Sequence, residues 1–194
     1  MKLTEAMNLV VPVGEFQAYH VPVSREVFEA NYRVLASTRA ALSSEGIMYQ
    51  MGSGPQIAAL ALKDSARRHA EERGDVDDKG RGNDQSALAL LAEVKRLTVI
   101  FCPTPQGWDQ LPVDAAISNG FVDAEDWREA ESAIVFFTCL FWLTPKAERQ
   151  KMAAATAGLL KGSITSSPPS EFAASLPSST PAQTSPVAAS SVPS

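Results

Sequence analysis

The chain has two histidines, His20 and His69, and two cysteines, Cys102 and Cys139, so metal, thiol or imidazole chemistry would have to be built from very few side chains. His20 falls in a short run of β-branched and aromatic residues. His69 falls at the polar end of a helical pattern with no nearby Asp or Cys partner, and neither is placed as a general base. Each cysteine sits in an apolar run rather than in a spaced pair, the pattern of two buried thiols in a reducing cytoplasm. Asp75, Asp77 and Asp78 have the look of a calcium loop, but no Glu follows where such a loop needs its bidentate ligand, so no metal is expected. Gly52-Ser53-Gly54 is too short for a phosphate loop and lacks the Lys-Ser/Thr that would complete one, and neither a GxSxG elbow nor an HExxH pair occurs. Asp123, Asp126 and His20 are the one set from which a small catalytic site could assemble in three dimensions. No catalytic residue, cofactor or metal site is otherwise indicated, and the chain reads as non-enzymatic.

With 194 residues, 45% of them hydrophobic, the chain can build one ordinary core. A net charge of -5 argues against a protein that tracks phosphate backbones, and no nucleic-acid partner is expected. Lys63, Arg67 and Arg68 are interrupted by Asp64 and followed by Glu71 and Glu72, which is a solvated helix face. Residues 1–13 lack the apolar core and cleavage site of a signal peptide, so the protein is expected to stay where it is made.

The elements that must position these residues are mostly helical. Residues 8–23 read as a β-hairpin about Gly14-Glu15, with Pro12 and Pro22 making both strands edge-like and keeping the hairpin from the centre of a sheet. Residues 24–44 form an amphipathic helix with Phe28, Tyr32, Leu35 and Leu42 on one stripe, and residues 55–73 a weaker one opened by Pro55. Residues 74–84, with three glycines and mixed charge, form a mobile internal linker. A further helix carries Ala87, Leu90, Leu91, Val94, Leu97 and Phe101 and stops at Pro103, Trp108 lies in an irregular turn, and a short helix covers residues 112–119.

The next helix dominates. Asp123 can cap it, and Glu125 and Asp126 suit the positive end of its dipole. From Ala133 to Leu143 it is apolar nearly all round, so it needs more than one neighbour. The run spans about 16 Å at 1.5 Å per residue, against about 30 Å of hydrocarbon, so it does not span a membrane. It is a core helix, or a core helix with one face reserved for a partner. After a last helix over residues 146–161, residues 163–194 are dominated by Ser, Pro, Thr and Ala and read as a disordered tail. Within the tail, residues 170–176 could form one helical turn presenting Phe172 and Leu176. The fold class expected is mainly α: a compact domain of five to six helices over residues 1–162, with an N-terminal hairpin and a disordered C-terminal tail.

Several stretches resemble the tail assembly chaperones of long-tailed bacteriophages: MNLVVPV with HVPVSREVFEANYRVLASTRAALSSEG, IAALALKD, LLAEVKRLTVIFCPTPQGWDQLPVDAAISNGFVDAEDWREAESAIVFFTCLFWL, and SSPPSEFAASLPSSTP. The resemblance implies a small helical protein of the infected host's cytoplasm, absent from the mature virion. It would coat the tape-measure protein, keep it soluble and help tail-tube subunits polymerise around it. In that family a longer form arises by ribosomal frameshifting; the switch to a Ser/Pro/Ala tail fits the short form, or the linker of the long one. Helix-in-groove binding suits such a task. The candidate groove lining is Phe136, Phe137, Leu140, Phe141 and Trp142, with Met152 and the Met48/Met51 pair as adaptable neighbours. All could instead be ordinary core, and a homo-oligomer interface competes for them. A structural tail or head-completion protein of the phage particle is the main alternative, and a small enzyme the second.

Overall fold

The computed structural model describes residues 7–44, 53–104 and 107–177. Over these residues it is an α+β fold, 57% helical and 18% strand, with a five-stranded antiparallel sheet. The expectation of a mainly α domain with a lone hairpin is therefore corrected. The strands are β1 (Asn8–Val13), β2 (Phe16–His20), β3 (Thr98–Thr104), β4 (Gly107–Pro112) and β5 (Ser163–Thr165). The helices are α1 (Arg25–Ala30), α2 (Tyr32–Ser44), α3 (Gly54–Glu72), α4 (Gln85–Arg96), α5 (Val113–Ser118), α6 (Ala124–Phe141), α7 (Arg149–Leu159) and α8 (Pro169–Ser175).

The sheet order is β4-β3-β2-β1-β5, so the hairpin expected at an edge forms the centre. Position explains why the prolines permit this. β5 pairs only with Asn8, Leu9 and Val10, short of Pro12, and Pro22 lies beyond the end of β2. Neither ring removes a donor that a neighbouring strand uses. At the turn, Gly14 takes a φ of +55, and a side chain there would collide with the Asp126 carboxylate.

β3 and β4 account for most of the fold-class error. Helix α4 ends at Arg96, and Thr98-Val99-Ile100 continue as strand because three consecutive β-branched residues favour an extended backbone between two partners. Phe101, which fits a helical stripe with Leu97, fits strand alternation equally well once Thr98 is taken as the start, standing on the same face as Val99. The segment containing Trp108, expected as an irregular turn, is β4.

Helices α4, α6 and α7 pack on one face of the sheet, and α2 and α3 pack against α6. Leu9, Val11, Val13, Ala18, Ile100 and Cys102 point into this main core, opposite Leu62, Ala66, Val94, Ile134 and Phe137. The Asp123 cap is present, its carboxylate accepting from the amides of Glu125 and Asp126 at 2.7 and 2.8 Å. The buried Ser132 hydroxyl accepts from the Ala59 amide at 3.2 Å and ties α6 to α3. Residues 74–84, expected as a mobile linker, carry a hydrogen-bonded turn: Asp77 Oδ1 accepts from the amides of Lys79 and Arg81, both at 2.9 Å, and the Gly82 amide donates to Glu71 at 3.1 Å.

Residues 163–177, read from the sequence as the start of the tail, carry β5 and α8. Gly162 passes so close to the Val10 carbonyl that a Cβ would overlap it, and this approach lets β5 pair with β1. No described helix is long and apolar enough to cross a membrane.

Candidate functional site

The rings of α6 are where the chain packs on itself. Phe136, Phe137 and Phe141 are buried, Phe137 and Phe141 facing each other at 5.4 Å. Leu140, Trp142 and Met152 are half-buried. The corner around Trp142 is closed from three sides. Phe28 stacks on it at 5.8 Å, its indole N–H donates to the Val23 carbonyl at 3.0 Å, and the Arg149 guanidinium lies 4.7 Å from its ring and 5.2 Å from that of Phe141. The Met152 sulfur accepts from the Thr156 hydroxyl at 3.1 Å. Three of the six candidate groove residues are thus core, and Leu140, Trp142 and Met152 form only a rim. Met48 and Met51 lie outside the described residues.

The other face of the sheet holds the surface that sequence reasoning missed. Val10, Tyr19 and Phe101 point away from the main core, yet they are 4, 1 and 0% exposed. Val99 and Trp108 flank them, and the segment over them is α8, through Phe172, Ala173 and Leu176. Phe172 is the anchor, its ring 5.3 Å from that of Phe101 and 5.9 Å from that of Tyr19, while Tyr19 and Phe101 meet edge to face at 6.0 Å. Two polar contacts fasten the backbone of the segment. The Tyr19 hydroxyl donates to the Ser167 carbonyl at 2.6 Å, and the Trp108 indole N–H donates to the Pro177 carbonyl at 2.9 Å. This face of the sheet thus holds one short amphipathic helix of seven residues by an aromatic ring and by main-chain carbonyls at its two ends.

The titratable groups are arranged for structure. His20 is fully buried beside Thr98. The Thr98 hydroxyl donates to the Val94 carbonyl at 2.7 Å, so it accepts from His20 Nδ1 at 3.0 Å, and Nε2 has no partner among the described residues. Burial lowers the His20 pKa to about 3, against weaker opposing effects of the Val94 carbonyl and the Glu93 carboxylate. Burial likewise raises the thiols, Cys102 to about 11 and Cys139 to about 12, which leaves both protonated at neutral pH. The structure does not assemble Asp123, Asp126 and His20. Asp126 sits against the hairpin turn at Gly14 and Asp123 is an exposed cap, whereas His20 ends β2 at the far end of the hairpin, about 13 Å along the strand from Phe16. Of the acidic triplet, Asp77 is engaged with Arg81 and Asp75 accepts from Asn83. No group of three or more His, Cys, Asp or Glu side chains suited to a metal ion occurs among the described residues.

No protein-family model, curated protein or solved structure matches the chain.

Proposed function

We propose that this protein is a tail assembly chaperone that binds helical segments of a phage tape-measure protein, keeps that protein soluble in the host cytoplasm, and assists tail-tube polymerisation around it without catalysis. The observation that carries the reading is the outer face of the sheet, where an amphipathic turn is held by Phe172 against Tyr19 and Phe101. A chaperone for a long helical chain needs one surface that accepts many similar turns. Contacts to the main-chain carbonyls of Ser167 and Pro177, which flank the helical stretch, read no side chain and so suit short helical segments of varied sequence. The sequence resemblance supplies the partner class, with the tail-tube protein as a second partner and self-association as a property of the same surface. The rim of Leu140, Trp142 and Met152 is a subsidiary contact area.

Co-expression with a phage tape-measure chain tests the proposal. The tape measure should stay in the soluble fraction and co-purify with this chain. An equally insoluble tape measure with and without the chain would overturn the reading, and recovery of the chain from finished particles would favour a structural component of the virion.

A further inference from the structure

We propose that the outer sheet face is a groove for helical turns carrying Phe and Leu four residues apart, and that residues 166–177 are its tethered occupant, displaced when a partner helix binds. The inference rests on the helix-binding reading above and adds the recognition motif and its regulation.

Four observations carry it. First, α8 contributes no fully buried residue of its own, although it covers three. The main core of the sheet and the five larger helices closes without it. Second, the attachments read no side chain. Tyr19 and Trp108 hold carbonyl oxygens of Ser167 and Pro177, which lie outside the helix on either side, so a foreign segment satisfies both donors where its helical stretch is as short as α8 and its flanking carbonyls are free, and selectivity falls to the ring seated between Tyr19 and Phe101. Third, the occupant has little to lose on leaving. Its one charged side chain, Glu171, is exposed, and its serines return to water, so release strands no buried charge. Fourth, the face left behind would expose Val10, Tyr19, Phe101, Val99 and Trp108 together, a neutral and largely aromatic patch that needs a cover from the same chain or another.

The geometry also gives the hinge. β5 stays fixed by its pairing with β1, and the short link through Ser166, Ser167 and Pro168 joins it to α8. A link this short gives the tethered turn an effective concentration on the order of millimolar, so a partner must offer several turns or higher affinity to displace it. The wild-type surface is thereby kept from indiscriminate apolar binding until a chain rich in such turns is present.

The test uses a fluorescent peptide of residues 166–177 added to the full chain and to its Phe172→Ser variant, read by anisotropy. The Phe172→Ser chain should bind the peptide at least about tenfold more tightly than the wild-type chain, because its own occupant no longer competes. A peptide in which the Phe is replaced by Ser should bind neither. Equal binding to both chains, or none to either, would overturn the proposal. Should Phe172→Ser prevent folding, hydrogen exchange on the wild-type chain decides: the Phe172 and Leu176 amides should exchange through local opening, far ahead of those in α6, and exchange in step with α6 would overturn it. Failure of the peptide to bind leaves a chaperone acting through another surface, whereas peptide binding without solubilisation of a tape measure leaves the groove and removes the chaperone.

Discussion

Lowering the pH should destabilise this protein through His20. In the folded chain Nδ1 donates to Thr98, and Nε2 is buried with no acceptor facing it among the described residues, so a second proton has nowhere to be compensated. The folded pKa is about 3, against 6.5 for the free side chain. Between these values the unfolded state binds the proton and the folded state does not, so stability is complete above pH 6.5 and declines as the pH falls toward 3. The slope is about 1.4 kcal/mol per pH unit, which gives a loss of about 2 kcal/mol between pH 7.5 and 5. Urea unfolding followed by tryptophan fluorescence at pH 7.5, 6 and 5 measures it. The control is His20→Asn, whose amide can still donate to Thr98 but does not titrate. His69 is common to both chains and cancels. The wild-type chain should lose about 2 kcal/mol more than His20→Asn over this range. Parallel curves would refute the reasoning, by showing that His20 accepts its proton in the folded state.

Three further outcomes are expected. Phe137→Ala should cost about 3–5 kcal/mol in the same denaturation experiment, the range for a fully buried ring, and a cost below about 1 kcal/mol would place Phe137 at a surface. Gly162→Val should lower the thermal midpoint by the equivalent of roughly 1–3 kcal/mol, since the added Cβ overlaps the Val10 carbonyl and must push β5 from β1. Ending the chain after Thr165 should cost roughly 1–3 kcal/mol and raise binding of an apolar dye, because Tyr19 and Phe101 lose their cover while the ordering entropy of the strap is recovered; an unchanged midpoint would show that α8 lies loosely on the sheet.

What the sequence made legible was local. Asp123 as a cap and Gly14 as a turn are decided by residues within a few positions, and both are present. Strand β3 was hidden because Leu97 and Phe101 satisfy a four-residue helical spacing, and only the run Thr98-Val99-Ile100 argues otherwise. Whether an extended backbone wins there depends on partners roughly eighty residues away in β2. The outer sheet face left a trace that composition obscured. Val10 and Tyr19 stand at the parity opposite to Leu9 and Ala18, so both faces of the hairpin carry large apolar residues and both need a cover. The remaining apolar pair able to provide one, Phe172 and Leu176, sits in a stretch so rich in Ser and Pro that it reads as disorder. The α6 rings illustrate the converse: a helix apolar all round is as consistent with core as with a groove, and the stacking of Phe28 on Trp142 is long-range information.

The central claim is that a partner's helix lies on the outer face of the sheet, and photo-crosslinking from that face tests it most directly. Val99 is half-buried there between Tyr19 and Pro112, so Val99→benzoylphenylalanine places a reactive ketone at the groove. Irradiated during co-expression with the tape-measure chain, it should give an adduct to that chain. A soluble, co-purifying tape measure whose adducts never form at position 99, with every crosslink falling instead on residues 169–176 of this chain itself, would contradict the account.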